Sequence, residues 1–224
     1  MSYQTALYIP VPEQGIAYKK GRAGRSLPSE MYIEDLAEIL ANMQVKCFKD
    51  HDVQENKERI ISLLNDFEAP SVVALSVYPG LENIEDAGAA TLQLAQHDLE
   101  RPVPWLNEVC RNNIAGHKPK VSPVKLAIRT LENYVRKDLQ EPEMYLMVEE
   151  KPEHGSAEFL ISYYGQGYGY KLFDEEREPD GYIYMTKDLT AENKRTPKTK
   201  TRKRSPTSKR TRTSKRLTVK NESS

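Results

Sequence analysis

The chain has 224 residues, of which 38% are hydrophobic and 29% charged, and its 33 basic and 33 acidic residues cancel. The charges are unevenly spread, because residues 194–224 hold 13 lysines and arginines and one acid, which leaves 20 basic and 32 acidic residues in 1–193. Neither a signal-peptide pattern nor an apolar run of the ~18 residues that a membrane span needs is visible. We therefore expect one domain with an appendage, in the cytoplasm and/or nucleus, without a membrane partner.

The first third of the chain alternates strand and helix patterns. Residues 5–11 have the pattern of a short strand, and apolar residues in 29–43 recur at the spacing of one helix face. A short strand over 45–48 and a second helix over 54–67 follow. Residues 71–78, SVVALSVY, are continuously apolar, as in a strand covered on both faces of a parallel sheet. This order predicts a parallel sheet with helices packed on its faces.

The rest of the body continues the mixed pattern. We expect two helices over 81–117 and an amphipathic helix over 122–139, which opens with Ser-Pro. The apolar residues of 144–149 predict a fourth core strand, and those of 157–165 a fifth. The tyrosine- and glycine-rich segment 167–185 is typical of a hairpin at a sheet edge.

Residues 191–224 form a separate segment that we expect to be disordered, since Thr, Ser, Pro, Lys and Arg cannot bury enough surface to offset the entropy of ordering. Its basic runs would bind a nuclear import receptor, or neutralise nucleic-acid phosphates, or remain a solvated tail. The residues that would carry either binding function are Lys200, Arg202, Lys203, Arg204, Lys209, Arg210, Arg212, Lys215 and Arg216.

Two short motifs suggest a bound group without being specific for one. Residues 165–172, GQGYGYKL, resemble the phosphate-cradling loop of acetyltransferases, but we interpret them as part of the Gly-Tyr hairpin. Cys47 and His51 are four residues apart, as metal ligands often are, yet no second pair completes a site. We predict neither a metal nor a cofactor.

Several segments together resemble the caspases. Arg22-Ala23-Gly24 is similar to the Arg-x-Gly before that family's first long helix. LAEILANMQVKCFKDHDVQENKERIISLLNDF, SVVALSVYPG and GSAEFLISYYGQGYGYKLFDEEREPDGYIYM are similar to successive parts of its large and small subunits. The resemblance implies a three-layer α/β fold with a mostly parallel central sheet flanked by helices. It covers a caspase-like domain over 1–190 that is truncated at its C-terminal end.

The residues that a caspase uses for catalysis are absent from the matching positions. Pro79 stands at the family's histidine, and its cysteine position falls on Glu150 or on Ile128, depending on the register. Arg22 is the one residue that would survive from the substrate pocket, because the second arginine meets Lys171 or the residue after it. A cysteine protease needs a thiolate and an imidazole side by side, so the resemblance implies no catalytic residues.

The function implied is that of a catalytically inactive caspase homologue. Such a pseudoenzyme would regulate apoptosis, or another caspase-dependent pathway, by binding a caspase or its adaptor protein. The alternative function is a nucleic-acid- or chromatin-binding protein that acts through its basic tail.

Overall fold

A computed structural model describes most of the chain before residue 191. The chain divides into two units, Met1–Glu192 and Asn193–Ser224, and the second lies outside the described residues. The predicted domain boundary at residue 190 therefore stays a prediction. The described ranges are 3–22, 24–44, 52–78, 87–96, 99–111, 121–149, 156–173 and 182–190.

The described strands form a single nine-stranded sheet in the order β3-β2-β1-β4-β5-β6-β7-β9-β8. Their bounds are β1 Gln4–Val11, β2 Ile16–Lys20, β3 Glu30–Tyr32, β4 Val72–Val77, β5 Ala87–Ala95, β6 Val103–Arg111, β7 Glu143–Glu149, β8 Lys171–Leu172 and β9 Tyr182–Asp188. Among these strands, β6 and β7 pair in parallel, and every other neighbouring pair is antiparallel.

Within the described ranges, four α-helices connect and cover the strands. They are α1 Ile33–Gln44, α2 Val53–Leu64, α3 Pro123–Tyr134 and α4 Ala157–Tyr168, and a π-helical turn, Val135–Leu139, continues α3. Asp52 caps α2 by accepting a hydrogen bond from Glu55 N at 2.8 Å. Ser156 caps α4 in the same way, and α4 ends at Gly169, whose φ of 84° is left-handed.

The sheet has a hydrophobic core on each face. On β4, Val73, Leu75 and Val77 pack with α1 and α2, whereas Val72 and Ala74 pack with α3 and α4. We call these the α1/α2 face and the α3/α4 face. Since helices cover both faces, β4 is buried along its whole length. Its sequence therefore lacks the apolar-polar alternation of a half-exposed strand.

This architecture contradicts the predicted mostly parallel, caspase-like sheet. The prediction depended on the continuous apolar run at 71–78, and β4 is indeed fully buried. However, β4 pairs antiparallel with both β1 and β5. Burial on both faces follows from the covering helices and carries no information on strand direction.

Three predicted elements, in two segments, have the wrong type. Residues 81–117, predicted as two helices, contain β5 and β6, and residues 157–165, predicted as a strand, lie in α4. The helices at 29–43, 54–67 and 122–139 and the strand at 144–149 are present with shifted ends. The predicted strand at 45–48 lies outside the described residues.

The edge hairpin is present as the antiparallel pair β8–β9. Gly165 and Gly167 precede it in the last turns of α4, where backbone carbonyls rather than amides point outward. The described helices include none long and apolar enough to cross a membrane.

Candidate functional site

The sheet opens between its two parallel strands. β6 and β7 pair at Trp105–Tyr145 and Leu106–Leu146, and the described ladder goes no further, although β6 continues to Arg111 and β7 to Glu149. Each strand keeps its other neighbour, because β6 pairs with β5 and β7 with β9 up to these ends. Among the described residues, the backbone groups of 107–111 and 147–149 that face the opening therefore lie outside the β6–β7 ladder.

A β-bulge lies where the two strands part. The register between β5 and β6 shifts between Ala90 and Leu92. One residue of β5, Thr91, there faces two residues of β6, Asn107 and Glu108. A bulge bends its strand and increases the local twist. The bend follows directly after the last pair with β7, so it accounts for the divergence of β6 from β7.

The first turn of α3 stands beside the open end of β6. Gly88 of β5 pairs with Arg111, the last residue of β6. A Cβ atom added to Gly88 would overlap the backbone of Pro123 and Val124. The start of α3 therefore rests directly on the sheet, and only glycine leaves room for it.

The amides in this turn form a positive pole next to the opening. The first helical hydrogen bond runs from Leu126 N to Ser122 O at 3.2 Å, and the Ser122 side chain makes no capping bond. The N–H groups of Val124 and Lys125 thus have neither an intrahelical acceptor nor a serine cap. Such a helix start attracts anions through these amides and through the helix dipole.

A chain of hydrogen bonds holds one polar side chain at the bulge. Asn107 Nδ2 donates to Gln93 Oε1 at 3.3 Å, and Gln93 Nε2 donates to Ala69 O at 3.0 Å and to Asp66 Oδ2 at 3.4 Å. Asp66 is in turn fixed by the backbone N–H groups of Glu68 and Ala69, at 2.9 and 3.1 Å. The segment after α2 therefore positions a neutral amide, that of Asn107, beside the opening.

Aromatic rings close the paired end of the opening. The Trp105 ring centroid lies 5.3 Å from that of Tyr145 and 6.1 Å from that of Tyr184, and Tyr145 meets Phe173 at 5.4 Å. Tyr145 alternates with buried residues of the α3/α4 core, so this cluster lies on the α1/α2 face. Burial, and then the hydrogen bond that the Tyr145 hydroxyl donates to Glu143, raise the pKa of Tyr145 to about 12. It therefore stays a neutral phenol at physiological pH.

The structure does not bring the sequence-predicted site residues together. Arg22 lies on an exposed turn after β2, and Ile128 is fully buried within α3 in the α3/α4 core. Pro79, Glu150 and the nine basic residues of the tail lie outside the described residues, so import and nucleic-acid contacts through the tail stay predictions. Within the described ranges, no cluster of three or more His, Cys, Asp and Glu side chains could hold a metal ion.

The opening was not predicted from the sequence because one of its two strands, β6, was assigned to a helix. Val103, Trp105 and Val109 are residue types that favour strands, which is a signal that could have identified β6. The helix at 122–139 and the strand that follows it were predicted, so recognising β6 would have predicted the strand-helix-strand unit β6–α3–β7. The bulge has no such signal, since Asn107 and Glu108 are ordinary in a strand or a loop.

Comparison with known proteins gives a fold but no sequence family. No protein-family profile and no curated protein matches the sequence. Among solved structures, a protein from Desulfovibrio desulfuricans assigned to the GNAT family of acetyltransferases matches with a TM-score of 0.50 and 10% identity, over 83% of this chain and 99% of that chain. At this identity the match shows a shared fold alone.

Two further matches have lower TM-scores. A GNAT-family acetyltransferase from Streptococcus pneumoniae matches at 0.42, with 13% identity over 69% of this chain and 94% of that chain. The Campylobacter jejuni N-acetyltransferase PseH in complex with acetyl coenzyme A matches at 0.39, with 14% identity over 66% and 89%.

These findings correct the caspase interpretation. The Desulfovibrio desulfuricans structure that shares this fold is assigned to the GNAT acetyltransferases, and the described sheet is mostly antiparallel, so the resemblance to caspases is wrong. The predicted caspase-binding regulator of apoptosis fails with it, as does the prediction that the chain is no enzyme, which followed from the missing caspase dyad. The alternative function, nucleic-acid or chromatin binding through the tail, finds no support in these matches.

Proposed function

We propose that this chain, which shares its fold with a GNAT-family acetyltransferase, transfers an acetyl group from acetyl coenzyme A to an acceptor nucleophile. One observation carries the proposal: the parallel strands β6 and β7 separate after Leu106 and Leu146, at a β-bulge. An opening of this kind in a sheet offers both a binding slot and unpaired backbone groups.

The residues around the opening fit the chemistry of coenzyme A. Its pantetheine arm is an extended chain with two amides, and the edge of β6 beyond the end of the β6–β7 ladder presents the N–H and C=O groups that such a chain needs. Its diphosphate is an anion, and the first turn of α3 presents the amides of Val124 and Lys125 beside the end of β6. When bound, acetyl coenzyme A supplies an acetyl group activated as a thioester.

The protein's own groups would act mainly by positioning and polarisation. The bulge leaves one residue of β6 without a register partner on β5. Its amide is held by the flanking sheet and can donate to a carbonyl oxygen whose negative charge grows during attack. The hydrogen-bonded amide of Asn107 is neutral and can orient an acceptor without holding it as a charged partner. The rings of Trp105 and Tyr145 exclude water from the paired end.

The proposal is tested first by locating the binding of coenzyme A. We expect hydrogen–deuterium exchange to slow at the amides of 107–111 and 124–125 when coenzyme A is added, because these groups gain partners. The hairpin β1–β2, which pairs with its neighbours in the sheet, is the internal reference and should not change. Unchanged exchange at both sites, with calorimetry showing no coenzyme A binding, would contradict the proposal.

Turnover is tested with acetyl coenzyme A and a panel of acceptors, by measuring the thiol released. The panel contains free amino acids, polyamines, amino sugars and lysine-containing peptides, each with an N-blocked counterpart as its control. We expect one class to release thiol above the acceptor-free rate. If the chain binds coenzyme A but releases no thiol with any acceptor, it is a coenzyme A-binding protein, and the proposed acetyl transfer is rejected.

A further inference from the structure

One surface of α4 exposes aromatic rings that the proposed mechanism does not use. Phe159 and Tyr163 are one helical turn apart, with ring centroids 6.0 Å apart and planes inclined by 23°. Their side chains are 57% and 42% exposed. The hydroxyl groups of Tyr163 and Tyr168 lie 3.2 Å apart, which extends the row. We call Phe159, Tyr163 and Tyr168 the aromatic stripe.

The aromatic stripe lies next to the positive pole of α3. Lys125, in the first turn of α3, donates to Gly167 O in the last turn of α4 at 3.0 Å. The same ammonium lies 5.8 Å from the ring centroid of Tyr168. One lysine therefore connects the uncapped start of α3 to the end of the stripe. The result is a surface with stacking rings on one side and amides and a cation on the other.

This combination matches the chemistry of a nucleotide. A purine stacks on exposed aromatic rings, and phosphates bind at the amides of a helix start and beside a lysine. A second protein surface would also cover the rings, but it would not explain the cation and uncapped amides at one end of the stripe. The charge next to the rings therefore favours an anionic ligand with a flat base.

We propose that the aromatic stripe binds the adenine ring of coenzyme A, with Phe159 and Tyr163 as its stacking residues. This inference rests on the proposed function, which supplies the nucleotide. It assigns the pantetheine arm to the opening between β6 and β7, and the base to the outside of α4. It also makes affinity for the donor depend on residues that do not touch the acetyl group.

The test compares the dissociation constants of coenzyme A and 4′-phosphopantetheine, which lacks the adenosine, by titration calorimetry. We expect Tyr163→Ala and Phe159→Ala each to weaken coenzyme A binding by about tenfold and to leave 4′-phosphopantetheine binding unchanged. Tyr163→Phe keeps the ring and should bind coenzyme A as the unmodified chain does. Tyr32→Ala removes a ring that is 67% exposed on β3 and is the matched control.

The outcomes separate the two proposals. Equal affinity of the unmodified chain for coenzyme A and 4′-phosphopantetheine, or unchanged coenzyme A affinity in both alanine variants, overturns the assignment of the stripe and leaves the proposed function standing. Absence of binding to either compound overturns both. Loss of 4′-phosphopantetheine binding in Tyr163→Ala, with retention in Tyr163→Phe, would place the ring against the pantetheine arm and also reject the assignment.

Discussion

At the scale of single residues, a buried ion pair joins α3 to the far part of the sheet. Lys187 Nζ of β9 lies 2.7 Å from Glu132 Oε1, and their side chains are 11% and 6% exposed. Tyr170 is buried nearby. Burial, and then the Glu132 charge, hold the pKa of Tyr170 well above its usual value. The lysine therefore places a compensating positive charge directly against a buried carboxylate.

Replacing Lys187 alone should destabilise the fold. We expect Lys187→Met to lower the free energy of unfolding by about 3 kcal/mol, because the buried Glu132 carboxylate loses its 2.7 Å contact with a cation. The double variant Lys187→Met with Glu132→Gln should recover part of this loss, since no charge remains. Urea unfolding curves measure both. A double variant less stable than Lys187→Met would show that the buried charge of Glu132 is not the cause of the destabilisation.

Two tyrosines, the buried Tyr8 and the half-buried Tyr145, predict how stability depends on pH. Burial raises the pKa of Tyr8 to about 12, and burial with the hydrogen bond to Glu143 raises that of Tyr145 to about 12, against 10.0 for an ordinary tyrosine. As the pH rises from 10 to 12, the unfolded chain loses these protons before the folded chain does. The unfolded state is therefore favoured progressively in that window and not below it.

We expect the free energy of unfolding to fall between pH 10 and pH 12 and the fall to be shallower in Tyr8→Phe. The hydroxyl of Tyr8 donates to Pro28 O at 3.1 Å, so Tyr8→Phe has a lower free energy of unfolding at every pH. The comparison therefore uses only the slope of this free energy against pH. Urea unfolding at pH 9, 10 and 11 measures this slope for both proteins. Identical slopes in the two proteins would reject the raised pKa of Tyr8.

At the scale of elements, two segments adopt the structure that their local preference disfavours. AGAATLQLA is rich in good helix formers, yet it is β5, because β4 and β6 pair with it on both sides and α3 needs small residues beneath it. AEFLISYYGQGY is rich in strand formers, yet it is α4. Its boundaries, Ser156 before it and Gly169 after it, are helix signals that outweigh its composition.

Gly88 couples β5 to the start of α3, and enlarging it should affect donor binding. We expect Gly88→Ala to displace Pro123 and Val124, since the added Cβ would overlap backbone that has no flexible end to yield. Coenzyme A affinity should fall by about tenfold or more, with a loss of roughly 1–3 kcal/mol in stability. Calorimetry and urea unfolding measure the two effects.

Gly167→Ala is the matched control for this substitution. A Cβ atom at Gly167 meets nothing within 4 Å, and alanine favours a helix over glycine by about 0.5–1 kcal/mol. The control should therefore bind coenzyme A normally and be slightly more stable. If Gly88→Ala bound coenzyme A as well as Gly167→Ala does, the start of α3 would not be part of the donor site.

At the scale of the whole molecule, β7, β8 and β9 join the other six described strands only through the β6–β7 pair, which is short and parallel. A ligand in the opening would contact both sides of this junction. We therefore expect coenzyme A at a hundred times its dissociation constant to stabilise the fold by about 2.7 kcal/mol and to raise the Tm by several degrees.

Differential scanning fluorimetry measures the shift in Tm, with glutathione as a thiol control that lacks the nucleotide and the pantetheine arm. Trp105 is the single tryptophan of the chain and lies at the last pairs of the junction. Its emission should therefore change on addition of coenzyme A and not of glutathione. An unchanged Tm together with unchanged emission would argue against a ligand between β6 and β7.

The amphipathic helices α1, α2 and α3 and the apolar strands β4 and β7 are predictable from the amino-acid sequence, because the periodicity of a helix and the burial of a strand are local properties. Tertiary contacts were needed to establish that β4 runs antiparallel to its neighbours, that residues 87–95 are a strand and that β6 leaves β7 at Asn107. Strand direction, partner choice and the bulge depend on contacts between segments far apart in the chain. A run such as VVALSV satisfies a buried position equally well in either direction, and this is why the site could not be predicted from its own residues.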